Sequence, residues 1–473
     1  MTAPAVLRDR KDVAAGAALG LYAAALALLP GWKIKALLSL PLVAIPVLGW
    51  LLKTTRRWLG LFFFAALLLP PLPIAIGDSG PHVAVLFAAA GLLIGLLRLH
   101  EWSFHPDEMA AALLALGAIF LASLGMAALY SGLIVAAASL ARVGLFGIAV
   151  FVFFYLRDGP GRLPPERYFP FVRLLFLAAA ASALFACVDF YFQFPAPAGY
   201  GPQFIWLDSG VFRRAQGFFY EASTLGNLCA FFLEMIAVSL FRPRADRPLS
   251  SLAMFWGGAA LGTALVLSYS RASLANLGVA LAVLVWLNRH RIRMRRLVLG
   301  VALPMSLAAT VLVTAFPAFA QAYWLRVSLS FRYFLESPNA VLSGRLHNWE
   351  VLREFLFSHP LHLLAGIGYK TLPYSNYIGG PAIADNTYLS ALVETGIFGL
   401  LAVLALNAAI LVTAYRAARS ANPRRSFCGT WMFCFWIAQA VQMFSADLLT
   451  YWRVLPVYFA VLALAARDEH PVS

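Results

Sequence analysis

Three arginines and one aspartate stand in this chain where an almost uncharged sequence has least reason to keep them. Arg214 lies in "FRRAQGFFYEASTLGNL", Arg271 in "LSYSRASLANLG" and Arg345 in "LSGRLHNWEVL". Asp385 opens "ADNTYLSALVETGIFGL". The arginine fork is planar, pairs bidentately with phosphate oxygens and stays charged. A carboxylate beside such cations can act as general base and take a proton from a hydroxyl. The combination suits transfer of a group from a diphosphate. Negative charge grows on the diphosphate as its bond breaks, and fixed cations stabilise it without a metal. No acidic cluster with metal-ligand spacing accompanies them, so neither a metal nor another cofactor is expected.

Each residue also has a plainer reading. Arg271 suits a tight turn from which a long side chain snorkels. Arg214 can pair with Glu221, seven residues on, to close a loop, and Arg213 could substitute for it in binding. Arg345 and His347 fit the solvated face of an amphipathic helix that starts after Ser343-Gly344. Asp385 fits an ordinary N-cap, accepting backbone N–H bonds and favoured by the helix dipole.

The elements that must hold these residues are membrane helices. Hydrophobic residues make up 62% of the 473 and charged residues 12%, against about 25% charged in a soluble domain. The apolar runs are about 18–25 residues long, enough to cross about 30 Å of hydrocarbon. The expected fold is an all-α polytopic membrane protein with about 12–14 transmembrane helices. Their expected positions are about 12–30, 34–52, 58–76, 81–98, 108–129, 132–155, 171–192, 223–241, 251–270, 272–288, 298–316, 386–414, 427–446 and 453–467. The first run follows Arg8, Arg10 and Lys11 and is expected to be a retained helix rather than a cleaved signal.

Basic residues mark alternate loops: Lys53, Arg56 and Arg57; Arg157, Arg162 and Arg167; Arg242, Arg244 and Arg247; "RHRIRMRR"; and Arg416, Arg419, Arg424 and Arg425. By the positive-inside rule these loops and both termini are cytoplasmic. The long loops 193–222 and 317–385 then fall outside, and loops of that size are usually functional. The second contains "RVSLSFRYFLES" and "NWEVLREFLFSHP", expected to form short helices on the membrane surface. Four regions result: N-terminal helices 1–192; helices with the first outer loop and the arginine motifs, 193–316; the large outer loop, 317–385; and C-terminal helices 386–473.

The net charge of +15 sits mostly in short loops, where it sets topology and gives no reason to expect nucleic acid. Arg142, near the middle of a span, is costly at that depth and needs a partner or a function; Asp189 is a candidate partner. Cys187, Cys229, Cys428 and Cys434 show no metal or disulfide spacing and read as small buried hydrophobes.

Four stretches in order carry a resemblance. "RAQGFFYEAS" looks like an Arg-x-x-Gly-x-Phe element, and "SYSRASLA" like a Ser-Arg-small turn. "SGRLHNW" looks like Ser-Gly-Arg-x-x-x-Trp. "HPLHLLAGIGYKTLP" with "DNTYLSALVETGIFG" looks like a Pro…Gly-x-Gly stretch before a closing Asn-led helix. Together, over about 214–399, they resemble the O-antigen ligase/polymerase family (Wzy/WaaL type) of bacterial envelope glycosyltransferases. The resemblance implies a GT-C-like fold in the bacterial inner membrane and metal-independent, inverting transfer of a glycan from undecaprenyl diphosphate at the periplasmic face. The acceptor would be another lipid-linked glycan for a polymerase, or lipid A core for a ligase. It makes Asp385, Arg271 and Arg214 the catalytic candidates, and Arg345, Asn386, Arg213, His347, Glu221 and Tyr388 the substrate-binding candidates. Membrane lipids are implied partners, and a chain-length regulator is a further candidate. The ligases carry a His just before the Asn; Asp385 in its place looks more like polymerases and exopolysaccharide members.

Two other classes compete. A lipid-linked saccharide transporter or flippase should show broken polar helices at mid-membrane and internal repeats, whereas the candidate groups here gather at one face. A scaffold of envelope assembly would tolerate loss of Arg271.

Overall fold

The computed structural model describes residues 53–72, 81–197, 200–207, 210–289, 317–332 and 344–467, with scattered residues within 13–51 and 310–339. The expected spans 34–52 and 298–316 and most of "RHRIRMRR" fall largely outside the described residues, and 12–30 falls partly outside them. Backbone contacts separate Met1–Trp58 from Leu59–Ser473, and the second unit holds every element discussed below apart from the first two residues of the helix at Arg57–Leu68.

The hydropathy ladder is borne out as helices: α1 (Arg57–Leu68), α2 (Val83–Leu97), α3 (Glu108–Ser131), α4 (Leu133–Arg157) and α5 (Tyr168–Phe192). A hairpin, β1 (Phe204–Leu207) with β2 (Gly210–Arg213), follows in antiparallel register. Then come α6 (Ala222–Leu240), α7 (Ser251–Leu267), α8 (Arg271–Asn288), α9 (Pro317–Arg332), α10 (Arg345–Ser358), α11 (Thr387–Ala418), α12 (Pro423–Gln442) and α13 (Leu455–Ala466). Six of the described helices are long and apolar enough to cross a membrane. Helices α1, α2, α7 and α13 are apolar but shorter. The chain is an all-α polytopic membrane protein.

Local chemistry sets the boundaries. Asp107 caps α3 through the Ala110 amide at 2.7 Å. Gly132, at φ 85°, ends α3 and begins α4 in a single residue. Asn422 caps α12 through the amides of Arg424 and Arg425, with Pro423 at the first helical position, where its missing N–H costs nothing.

Helix α12 is the hub, packed against α11, α8, α13 and α6. It is more polar than the other spans, yet most of it is buried. Shielded from lipid, it carries amides that tie the bundle together. Asn227 of α6 donates to Gln439 at 2.9 Å and Gln442 at 3.0 Å, and Asn276 of α8 donates to Gln439 at 3.1 Å. Tyr458 of α13 donates to Asn227 at 2.6 Å. Buried polar groups need such partners.

Three of the basic loops, around 157–167, 242–247 and 416–425, share one end of the bundle. Arg242 donates to Ser426 Oγ at 3.0 Å, Arg467 to the Leu163 carbonyl at 2.6 Å and Arg425 to the Ala465 carbonyl at 3.0 Å. Arg157 pairs there with Asp107 at 2.8 Å. At the opposite end Ser131 donates to Ser375 of the large loop at 2.9 Å, and Thr387 to the Ala446 carbonyl at 2.8 Å. Every candidate site residue belongs to that second end.

Helix α11 departs from the expected straight span. It breaks at Gly396 (φ 71°, ψ −169°). The carbonyls of Val393 and Glu394 accept instead from the amides of Ile367 and Gly368, at 3.2 and 2.8 Å. Two glycines permit this approach: a Cβ on Gly396 would lie 2.1 Å from the Leu364 carbonyl oxygen, and one on Gly366 would lie 2.3 Å from the Glu394 backbone.

Candidate functional site

Asp385 is not the N-cap of α11. The cap is Asn386, whose side-chain oxygen accepts from the amides of Tyr388 at 3.0 Å and Leu389 at 3.1 Å. Asp385, one residue earlier, takes a left-handed backbone at φ 46°. That turn swings its carboxylate away from the helix axis, and Oδ2 accepts from Arg345 Nε at 3.1 Å. The Asp385 side chain is 45% exposed, and Oδ1 takes no hydrogen bond from the described residues.

Helix α10 holds this pair from the loop side. Gly344, at φ 81°, starts the helix and puts Arg345 at its first position. Trp349 Nε1 donates to the Ala384 carbonyl at 2.6 Å, and Asn348 to the Ile383 carbonyl at 3.0 Å. The Trp of the Ser-Gly-Arg-x-x-x-Trp stretch therefore straps the residues before Asp385 against the helix that carries Arg345.

Two more arginines approach from the bundle. The α7–α8 turn runs Ser268, Tyr269 (φ 51°) and Ser270, which caps α8 through Ser273 N. Arg271 follows at the first helical position. Arg214 leaves the hairpin, and its Nε donates to the Ser268 carbonyl of that turn at 2.8 Å. Burial lowers the Arg214 guanidinium from its ordinary value; Tyr451 and Glu221 raise it, and the cations Arg271 and Arg345 lower it. Arg345 and Tyr323 of α9 lie within electrostatic reach of Arg271. Tyr323 packs on Tyr269, ring centroids 5.6 Å apart, over the same turn.

Glu221 joins the cluster beside Arg214. Burial raises its carboxyl; a 2.6 Å hydrogen bond from Thr224 and the charge of Arg214 lower it, Asp385 raises it again, and Arg142 lowers it. One ion pair, Arg345–Asp385, stands with Arg214, Arg271 and Glu221 within electrostatic reach of its members or of one another, drawn from the hairpin loop, the α7–α8 turn, α10 and the entry to α11.

Other expected members lie elsewhere. Arg213 pairs with Asp189 at 3.3 Å, so Asp189 is not the partner of Arg142. Arg142 instead donates to the Tyr374 hydroxyl at 3.3 Å. The Tyr388 hydroxyl donates to the Ala440 carbonyl at 2.9 Å inside the bundle and packs on Phe444, turned away from Asp385. His347 is exposed on α10. Asn386 spends its carbonyl oxygen on the cap.

Sequence reasoning missed Tyr451. It is buried after α12, and burial pushes its hydroxyl well above the ordinary value, with Glu221, a hydrogen bond to Ser223 and Asp385 as further influences. No motif marks it; only a fold that returns α12 and α13 to the site brings it there. Lys370 was also unassigned. It pairs with Asp447 and lies within reach of buried Glu394, pinning the large loop to the bundle. Among the described residues no three His, Cys, Asp or Glu side chains come together as metal ligands.

Residues 256–404 match the family model described as O-antigen ligase (Wzy_C). That match covers about a third of the chain, which over those residues is similar to the O-antigen ligase family. It spans Arg271, Arg345 and Asp385, and leaves Arg214, Glu221 and Tyr451 to the geometry. No curated protein matches the chain.

Proposed function

We propose, from that partial family match and the site geometry, that the chain polymerises lipid-linked glycan repeat units of O-antigen or exopolysaccharide at the periplasmic face of the bacterial inner membrane. The donor is a glycan on undecaprenyl diphosphate. The acceptor is a hydroxyl of a second lipid-linked glycan. The observation that carries this reading is Asp385 turned out of the helix cap onto Arg345, with Arg214 and Arg271 on the adjoining turn.

The chemistry follows from those positions. Arg214 and Arg271 hold the donor diphosphate, and Arg345 sits between them and the base. Asp385 Oδ1 accepts the proton of the acceptor hydroxyl as that oxygen attacks the anomeric carbon. The bond from carbon to diphosphate oxygen breaks, and its electron pair leaves with the diphosphate. The configuration inverts, because one displacement occurs. Arginines aimed at the leaving group stabilise charge as it develops. Arg345 keeps Oδ2 occupied, which orients Oδ1 toward the acceptor.

Purified protein with a defined undecaprenyl-diphosphate glycan tests this. Wild type is expected to extend the lipid-linked glycan in EDTA. Asp385→Asn and Arg271→Ala are expected to lose about 10²–10⁴ in rate while remaining folded. Undiminished transfer by Asp385→Asn would sink the base assignment. The second reading, a ligase, is favoured by the description of the matched family; transfer onto lipid A core alone would select it. Absence of product with any acceptor would bring forward a transporter.

A further inference from the structure

Arg453 is a cation that the proposed chemistry does not use. It stands two residues before α13 and is buried. Its fork spends three donors on main-chain carbonyls: Nε on Ala66 at 2.8 Å, and the two terminal nitrogens on Phe218 at 2.5 Å and Leu69 at 2.8 Å. Ala66 and Leu69 stand at the C-terminal end of α1, where carbonyls lack helical partners and the helix dipole favours a cation. The guanidinium also lies 4.7 Å from the centre of the Phe219 ring. One side chain thus joins α1, the turn after Arg214 and the segment that leads into α13.

That segment touches both halves of the site. At its near end the Met443 carbonyl accepts from the Thr387 amide at 2.8 Å, and the Ala446 carbonyl from Thr387 Oγ1 at 2.8 Å. The Leu448 amide donates back to Thr387 Oγ1 at 3.1 Å. Thr387 is two residues past Asp385, so these bonds hold the side that carries the base. At the far end Tyr451 bonds Ser223, in the first turn of α6 beside Glu221. Arg453 holds the Phe218 carbonyl, four residues past Arg214. The turn it grips is itself packed down. Phe218 stacks on Phe185 of α5 with ring centroids 3.7 Å apart, and a Cβ on Gly217 would lie 2.8 Å from the Ala186 Cβ. Residues 443–453 therefore form a bracket with the side of Asp385 at one end and the side of Arg214 at the other.

We infer that Arg453 is a positioning residue: it closes the bracket onto the turn at Phe218 and so sets the spacing between Arg214 and Asp385. The inference rests on the proposed function, which gives those two residues their parts in transfer. Arginine is needed there for its geometry. A planar fork with five N–H donors meets three carbonyls of two elements at once, whereas a lysine ammonium brings the same charge as a point on a flexible stem. The spacing matters because displacing a reacting group by about 1 Å costs about 10²-fold in rate.

Two measurements on detergent-purified full-length protein test this. The first is the distance between spin labels at Val211→Cys, on the exposed strand before Arg214, and Glu350→Cys, on the exposed face of α10, with the four native cysteines replaced by alanine. With Arg453 intact one narrow distribution is expected. Arg453→Lys and Thr387→Val, which open the bracket at its two ends, are each expected to broaden or shift it. The second is glycan transfer from a defined undecaprenyl-diphosphate donor. Folded Arg453→Lys is expected to lose about ten- to a hundredfold in kcat with donor KM within about twofold. Thr387→Val should repeat that loss, and the double variant should fall little further than the worse single one, because both undo the same spacing. An unchanged distance distribution in Arg453→Lys overturns the inference, and so does a wild-type kcat in the folded variant. A tenfold rise in donor KM puts Arg453 on the substrate and overturns it too. Failure of the polymerase reading looks different: wild type transfers no glycan while both variants still disturb the distance, so the spacing role stands without that reaction.

Discussion

Asn386 separates a structural role from a chemical one. The residue is 7% exposed and its side chain caps two amides at 3.0 and 3.1 Å. Replacing a capping Asn by Ala costs about 0.5–2 kcal/mol. Here the site is buried and both amides would be orphaned, so Asn386→Ala is expected at the upper end, about 2 kcal/mol. In a chain this long that corresponds to roughly 2–4 °C in thermal midpoint. Asn386→Ser keeps a capping oxygen and is expected to stay within about 0.5 kcal/mol of wild type. The cap also steadies the left-handed backbone of Asp385, a conformation that costs about 1–3 kcal/mol unless its surroundings impose it. Asn386→Ala should therefore lower kcat by up to about tenfold, the order expected when the energy lost is near 1.4 kcal/mol, with donor KM unaltered. The assays are thermal unfolding in detergent and the lipid-linked transfer reaction. A folded Asn386→Ser variant as inactive as Asp385→Asn would refute the reasoning, for the carboxamide would then be touching substrate.

Three further outcomes are expected. Burial raises the Glu221 carboxyl, so the folded state holds its proton to higher pH than the unfolded state. Glu221 thus costs stability as pH rises through and above its unfolded value near 4.5; Glu221→Gln should raise the melting temperature at pH 7 and change it little at pH 4, and an equal shift at both would contradict the assignment. Gly396→Ala forces a Cβ to 2.1 Å from the Leu364 carbonyl at φ 71°, a loss of about 3 kcal/mol or more from strain and clash that size-exclusion profiles should report as little folded protein. Gly262→Ala on α7, with open space at its Cβ, is the silent control. Tyr388→Phe loses a hydrogen bond inside the bundle, worth about 1 kcal/mol, and should leave both substrate KM values within about twofold; a large KM rise would return Tyr388 to the site.

Periodicity and charge made much of this legible. The apolar runs matched the described helices to within about four residues at each end, because a membrane helix has to be apolar along its length, except that the run 58–76 holds a helix only as far as Leu68, before Pro70 and Pro71. Arg214, Arg271 and Arg345 stood out because they fall in segments that the positive-inside rule expects to be translocated, where cations have no topological reason to be. The finer arrangement was hidden for physical reasons. Whether Asp385 or Asn386 caps α11 is decided by one backbone turn, and both residue types suit a cap. The break at Gly396 depends on Gly366 and Gly368, about thirty residues away, docking against it. The Asn227–Gln439–Asn276 network joins helices 212 and 163 residues apart in the chain. Arg213 and Arg214 are adjacent and alike in sequence, yet the end of the hairpin sends one to Asp189 and the other to the α7–α8 turn.

The break in α11 restricts how the site can open. Ile367 and Gly368 act as a splint: they replace the hydrogen bonds that the broken helix cannot make for itself. Withdrawing that segment would strand two carbonyls in a low-dielectric interior, at a cost of several kcal/mol. The large outer loop is therefore not one swinging lid. Its middle is tied into the helical framework through the broken turn of α11, and under the proposed function any opening would fall to α10 rather than to this segment.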